Sequence, residues 1–185
     1  LYGLNLEEVN CSNNKITNIV MDSVGELVKF DCSNNDLMTL DVSQCLKLEE
    51  LNCSGNQLME LDVGHQTQLT QLDCSNNKLT ELNVKQNGSL TSLICNDNQL
   101  TTLDLSHNHS LSKLNCAKNR LACLDVTGIS GGTITANGNR RPIAVRTDGK
   151  FDLTTLSGFN VGKATNWNGG SVSGTILTVE DGKDE

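Results

Sequence analysis

The chain has 185 residues, a formal net charge of −8 and only five aromatic side chains: three Phe, one Tyr and one Trp. With so few rings, its core must rest on Leu, Val, Ile and Cys. The acidity disfavours a nucleic-acid partner, because neutralising phosphates needs a basic surface. No apolar run approaches the length that spans a bilayer, and no basic segment precedes an apolar stretch, so neither membrane insertion nor a leader is read here.

From Leu6 to Val126 the sequence repeats with a period of 21 and no insertion. Units open on Leu6, Leu27, Leu48, Leu69, Leu90 and Leu111, and three positions later stand Val9, Phe30, Leu51, Leu72, Leu93 and Leu114. A cysteine follows each time: Cys11, Cys32, Cys53, Cys74, Cys95 and Cys116. Then comes an asparagine: Asn14, Asn35, Asn56, Asn77, Asn98 and Asn119. Each unit ends in an apolar pair such as Leu61–Val63. One such unit cannot bury its apolar face alone, but stacked neighbours can, which is the logic of a solenoid. In "ELNCSGN" and again in "MELDVG" residues alternate inward and outward, the period of a half-buried strand. No unit has an apolar stripe at helical spacing. The expected fold is a mostly β solenoid of 21-residue coils with two short parallel strands each and little or no α-helix. It runs over residues 1–127, with full coils starting at 6, 27, 48, 69, 90 and 111 and a rise of about 4.8 Å per coil. Residues 1–5 read as the tail of a preceding coil, and the start at Leu1 as a processing boundary.

After Val126 the period fails. Ile134, Ala136 and Asn139 keep the spacing with alanine in the cysteine place, so residues 128–146 read as a degenerate last coil. Residues 147–185 read as a small β-rich cap, because an open solenoid end exposes an apolar section. In this stretch of the chain "PIAV" is strand-like, Asp152 can cap one helical turn, and Val172 with Ile176–Val179 reads as a hairpin. Phe151, Phe159 and Trp167 lie here, with Trp167 expected inside the cap rather than against a ligand. Arg140, Arg141 and Arg146 form a basic patch suited to an anion or to the acidic coils. Residues 1–127 carry eight Lys/Arg against sixteen Asp/Glu, whereas residues 128–185 carry six of each, so the acidity belongs to the coils.

The cysteine column invites chemistry. One thiol per coil on a single line is poor geometry for tetrahedral zinc. Parallel side chains stacked about 4.8 Å apart are wider than the usual Cβ–Cβ separation in a disulfide. The pattern therefore predicts buried free thiols acting as small hydrophobes. Cys45 and Cys123 stand off that column, and Cys123, at an outward strand position, is the thiol best placed to react. Each inward asparagine can donate and accept for its own coil and its neighbour after the sharp turn. Asp41, Asp62, Asp104 and Asp125, with Asn83 among them, form an outward column. Carboxylates accepting from nearby hydroxyls or turn amides are the favoured reading over a cation strip, since no D-x-[DN]-x-[DN]-G loop is present. His65, His107 and His109 read as solvated loop residues, and the N-x-S sequences at Asn10, Asn52, Asn87 and Asn108 as by-products of the repeat and its loops.

The pattern LxxLxCxxNxL over residues 6–126 resembles the leucine-rich repeat in its bacterial cysteine-ladder form. With the 21-residue period and "LDV" second half, it is most similar to cysteine-ladder internalins and related secreted repeat proteins of Firmicutes and Bacteroidetes. The segment after the repeats resembles the stretch that follows many such arrays. The resemblance implies a structural role for the asparagines and an extracellular or cell-surface binding module with a protein or glycan ligand. No catalytic motif is present, so no enzyme activity, cofactor or metal is expected. The expected contact face is the outward side of the first strands: Glu8, Asn10, Lys29, Asp31, Glu50, Asn52, Gln71, Asp73, Ser92, Ile94, Lys113 and Asn115. The alternative is a stalk or spacer of a larger surface protein with no ligand of its own.

Overall fold

Polar–apolar–polar triplets such as "ELN", "QLD" and "KLN" make short strands, and the constant spacing stacks them in register. The computed structural model describes residues 6–22, 24–126, 128–129, 132–139, 143–146 and 176–179. Its main sheet contains β1 (Glu8–Asn10), β2 (Lys29–Asp31), β3 (Glu50–Asn52), β4 (Gln71–Asp73), β5 (Ser92–Ile94), β6 (Lys113–Asn115) and β8 (Thr133–Thr135). The order is β1-β2-β3-β4-β5-β6-β8, all pairs are parallel, and partners from β1 to β6 lie one repeat apart, as Glu50 opposite Gln71. No described residue is α-helical. The molecule is a parallel β-solenoid.

The last pairing sets Lys113 opposite Thr133, a step of twenty, so this coil is one residue shorter. Ile134, Ala136 and Asn139 are buried in it. Gly132 makes the shortening possible: at φ +103 it passes so close to Ser112 that any Cβ would meet the Ser112 carbonyl oxygen at 2.0 Å.

The coils turn after the strand through a left-handed residue. Asn13, Asn34, Gly55, Asn76, Asp97, Lys118 and Gly138 all have positive φ and occupy one register. Asn and Gly are the residues that adopt this conformation most readily. A second bend closes each coil by tight turns, as Cys45 N–H to Val42 C=O at 2.8 Å and Leu48 N–H to Cys45 C=O at 3.2 Å.

Between the two bends the structure departs from the two-strand expectation. Residues 60–63 alternate as predicted, with Leu61 and Val63 buried and Glu60 and Asp62 exposed. Yet the first five coils carry no strand there. The amides just past that segment are bound locally: Asp41, Asp62, Asn83 and Asp104 each accept, through Oδ1, the N–H two residues on, at 2.8–3.2 Å. Among the described residues a second strand forms only in the sixth coil, β7 (Cys123–Asp125), and in the short coil after it, β9 (Ile143–Arg146), and these two pair in parallel; β9 in turn pairs antiparallel with β10 (Ile176–Val179). The strand-like reading of residues 143–145 and of 176–179 thus meets real strands, joined to each other. Phe151, Asp152, Phe159, Trp167, Val172, Arg140 and Arg141 lie outside the described residues, as do the side chains of Cys123 and Arg146.

Inside, leucine columns run the length of the stack. Leu48, Leu69 and Leu90, and Leu58, Leu79 and Leu100, have no exposed surface. Each buried leucine contributes roughly 1.5–3 kcal/mol. The first coil is looser: Leu6, Val9, Cys11, Ile16, Ile19 and Met21 are only partly buried.

Candidate functional site

The cysteine column lies inside this core. Cys32, Cys53, Cys74, Cys95 and Cys116 have no exposed surface, Cys11 in the first coil is half-buried, and all six are free thiols. Burial raises them all from the ordinary 9.0: Cys32 and Cys116 to about 12, and Cys53, Cys74 and Cys95 well above it, with neighbouring thiols or Asp73 adding to the effect at several. Such thiols stay protonated and are poor nucleophiles.

Beside it runs the asparagine column. Asn77 Nδ2 donates to Cys53 C=O at 3.0 Å, Cys74 C=O at 3.1 Å and Ser75 C=O at 3.2 Å, while its Oδ1 accepts Leu58 N–H at 3.0 Å. Asn35, Asn56, Asn98 and Asn119 repeat the set in their own coils. Asn14, in the exposed first coil, keeps only the local bonds to Cys11 and Ser12 carbonyls.

A third buried column escaped the sequence reading. Val24, Cys45, Gln66, Asn87, Asn108 and Ile129 share one register and are all buried. Cys45, read as an outlier, is a rung of it, its thiol raised by burial to about 11. Gln66 Nε2 donates to Val42 C=O, Asn87 Nδ2 to Val63 and Gln66 C=O, and Asn108 Nδ2 to Val84 and Asn87 C=O. The side-chain oxygens of these three residues have no hydrogen-bond partner within the described protein. Asn87 and Asn108 are therefore core residues rather than loop chemistry. The sequence signal for it is the 21-residue spacing from Val24 to Ile129.

Facing outward, the residues of the expected contact face stand along the main sheet, and none is buried. All but Asn115 line a shallow cleft of about 360 Å³. Many serve the fold as well. Asn10, Asp31, Asn52, Asp73 and Asn115 each accept, through Oδ1, the amide two residues on. Lys29 pairs with Glu50 at 2.7 Å. Glu8, Gln71, Ser92, Ile94 and Lys113 are left as the side chains with the least structural duty. The column behaves alike on the far side: hydroxyl and amide of Ser43 hold Asp41 below the usual carboxylate range, and those of Ser106, then Lys85 at 3.0 Å, hold Asp104 well below it.

His65, His107 and His109 are exposed, and no group of three His, Cys, Asp or Glu among the described residues could hold a metal ion. No described helix is long and apolar enough to cross a membrane.

Comparison with known proteins agrees with this geometry. The Leucine Rich Repeat family model matches residues 5–27. A solved structure of the functional domain of InlJ from Listeria monocytogenes, which includes a cysteine ladder, is 38% identical over 83% of this chain and 38% of that one, with a TM-score of 0.60. YopM from Yersinia enterocolitica WA-314 is 26% identical over 80% of this chain and 34% of its own, TM-score 0.63. The LRIM1/APL1C complex includes a chain 27% identical over 68% of this one and 25% of its own, TM-score 0.61. The chain thus spans well under half the length of each. No curated protein matches it.

Proposed function

This chain is a cysteine-ladder leucine-rich-repeat protein, and from that premise we propose that it is a non-enzymatic binding module of a secreted or surface bacterial protein. Its parallel sheet takes a protein or glycan ligand, with no nucleic acid, metal or cofactor involved. The observation that carries the reading is the in-register sheet from β1 to β8, a continuous row of accessible polar side chains on a rigid core. Rigid elements bind with little ordering cost. The likeness to InlJ and to a repeat chain solved in a complex supports a protein partner. The net charge of −8 supports the exclusion of nucleic acid.

The face lacks aromatic and arginine anchors, and hot spots favour both. Contact through it is therefore polar and of modest strength. The turn duties of Asn10, Asp31, Asn52, Asp73 and Asn115 favour the second reading, a spacer whose outward columns serve only the fold.

Screening the chain against arrays of glycans and bacterial and host surface proteins separates the two. A ligand captured by the parent and lost by the variant Gln71→Arg/Ile94→Arg, with unchanged thermal midpoint, supports the binding module. Capture that is indifferent to those substitutions, or no capture at all, refutes the sheet as the contact face.

A further inference from the structure

Across the core from the sheet, the second halves of the coils form a groove of about 730 Å³, larger than the cleft on the sheet. Leu40, Leu61 and Leu82 show their edges along its floor, each 7–8% exposed. Asp41, Glu60, Asp62 and Glu81 line its walls, and none of the four has a salt-bridge partner among the described residues. The lysine of the groove, Lys85, is paired to Asp104 at 3.0 Å. Immediately before Thr39 and Glu60 in the chain stand Met38 and Met59, one coil apart, 60% and 62% exposed.

We propose that this groove docks an extended, cationic and partly apolar segment of a protein partner. Two features argue that its charge answers to something outside the fold. The first is Asn83. It occupies the aspartate register and accepts the Lys85 amide at 3.2 Å, so the turn needs only an oxygen and no charge. Asp41 and Asp62 nevertheless add negative charges about 4.8 Å apart, which repel each other. Glu60 and Glu81 add a second such pair, and the turn bonds beside them are made by Asp62 and Asn83 instead. The second feature is apolar. Exposed methionines adapt to varied partners, and this pair, next in the chain to the groove residues Thr39 and Glu60, offers a cationic segment further apolar surface to cover. Arg and Lys side chains suit such a site, since they lay apolar stems on it while their heads reach carboxylates. The sheet face, with Lys29 and Lys113 among its carboxylates, is less one-sided in charge.

The test uses the whole chain and two fluorescein-labelled synthetic peptides, one alternating Arg with Ser and Leu, the other carrying Glu for Arg. Fluorescence anisotropy follows binding to three variants. A groove variant combines Asp41→Asn, Glu60→Gln, Asp62→Asn and Glu81→Gln, which keep the turn oxygens. A sheet variant removes the same charge through Glu8→Gln, Asp31→Asn, Glu50→Gln and Asp73→Asn. A third variant is Met38→Gln/Met59→Gln. The expected result is preference for the Arg peptide, about tenfold or more weaker binding by the groove variant, and under about twofold change for the sheet variant. The methionine variant weakens binding severalfold at low and high salt alike, because that part is not screened. Equal loss in groove and sheet variants reduces the effect to net charge and overturns the proposal. So does equal binding of the Glu peptide, or none by either peptide.

Discussion

Replacing Asn77 by alanine tests how the asparagine column works. Counting partners suggests a large loss, since four bonds disappear. The structure divides that count. Cys53 C=O still accepts from Asn56, Cys74 C=O from Asn98, and Ser75 C=O from the Gly55 amide. Only the Leu58 amide, in a residue with no exposed surface, is left without a partner. An orphaned buried N–H costs about 1–3 kcal/mol, and each weakened carbonyl adds about 0.5 kcal/mol. The total for Asn77→Ala is therefore about 2.5–4.5 kcal/mol. Asn14→Ala, in the exposed first coil with two local bonds, costs less than about 1 kcal/mol. Asn77→Asp keeps the acceptor for Leu58 but sets a carboxylate against three carbonyls, so at neutral pH it loses at least as much as alanine. Urea unfolding followed by far-UV circular dichroism gives these differences at constant slope. Equal losses at positions 77 and 14, or a loss below about 1 kcal/mol at 77, refute the reasoning.

Asn87→Cys reverses the outcome. Val63 and Gln66 carbonyls keep the amides of Gln66 and Leu69, the unpartnered Oδ1 is removed, and cysteine already fills this register at Cys45. The variant stays within about 1 kcal/mol of the parent in the same urea titration, and a loss like that of Asn77→Ala contradicts the account. The thiols predict an alkaline weakness. Their folded pKa values are raised, so their contribution is complete below about pH 9 and fades as pH climbs toward 11–12, where the unfolded chain alone ionises. Each buried thiol costs about 1.4 kcal/mol per pH unit in that window. The thermal midpoint should fall steeply from pH 9 to 11, and thiol reagent at pH 8 should reach the six buried thiols only slowly in the native chain but react with all eight cysteines in denaturant. A midpoint flat to pH 10.5 contradicts burial of the column.

Much of this protein follows from its one-dimensional pattern. The 21-residue period carried the coil number, the parallel stack and the inward columns of Leu, Cys and Asn, because burial follows alternate positions on an extended chain and identical units stack alike. Ile134, Ala136 and Asn139 were legible in the same way even though their coil is a residue short. Of the site, the sequence yielded which side chains face outward along the strands. It gave the aspartates of the other face as acceptors of nearby hydroxyls or turn amides, but it did not reveal that Asp31, Asn52 and Asp73 on the sheet are tied to turn amides as well. Nor did it show that "MELDVG" alternates without becoming a strand. Alternation requires only an extended backbone over a core. A ladder also needs the neighbouring coil's carbonyls within hydrogen-bonding reach of its amides, and that distance is decided only once the coils are stacked.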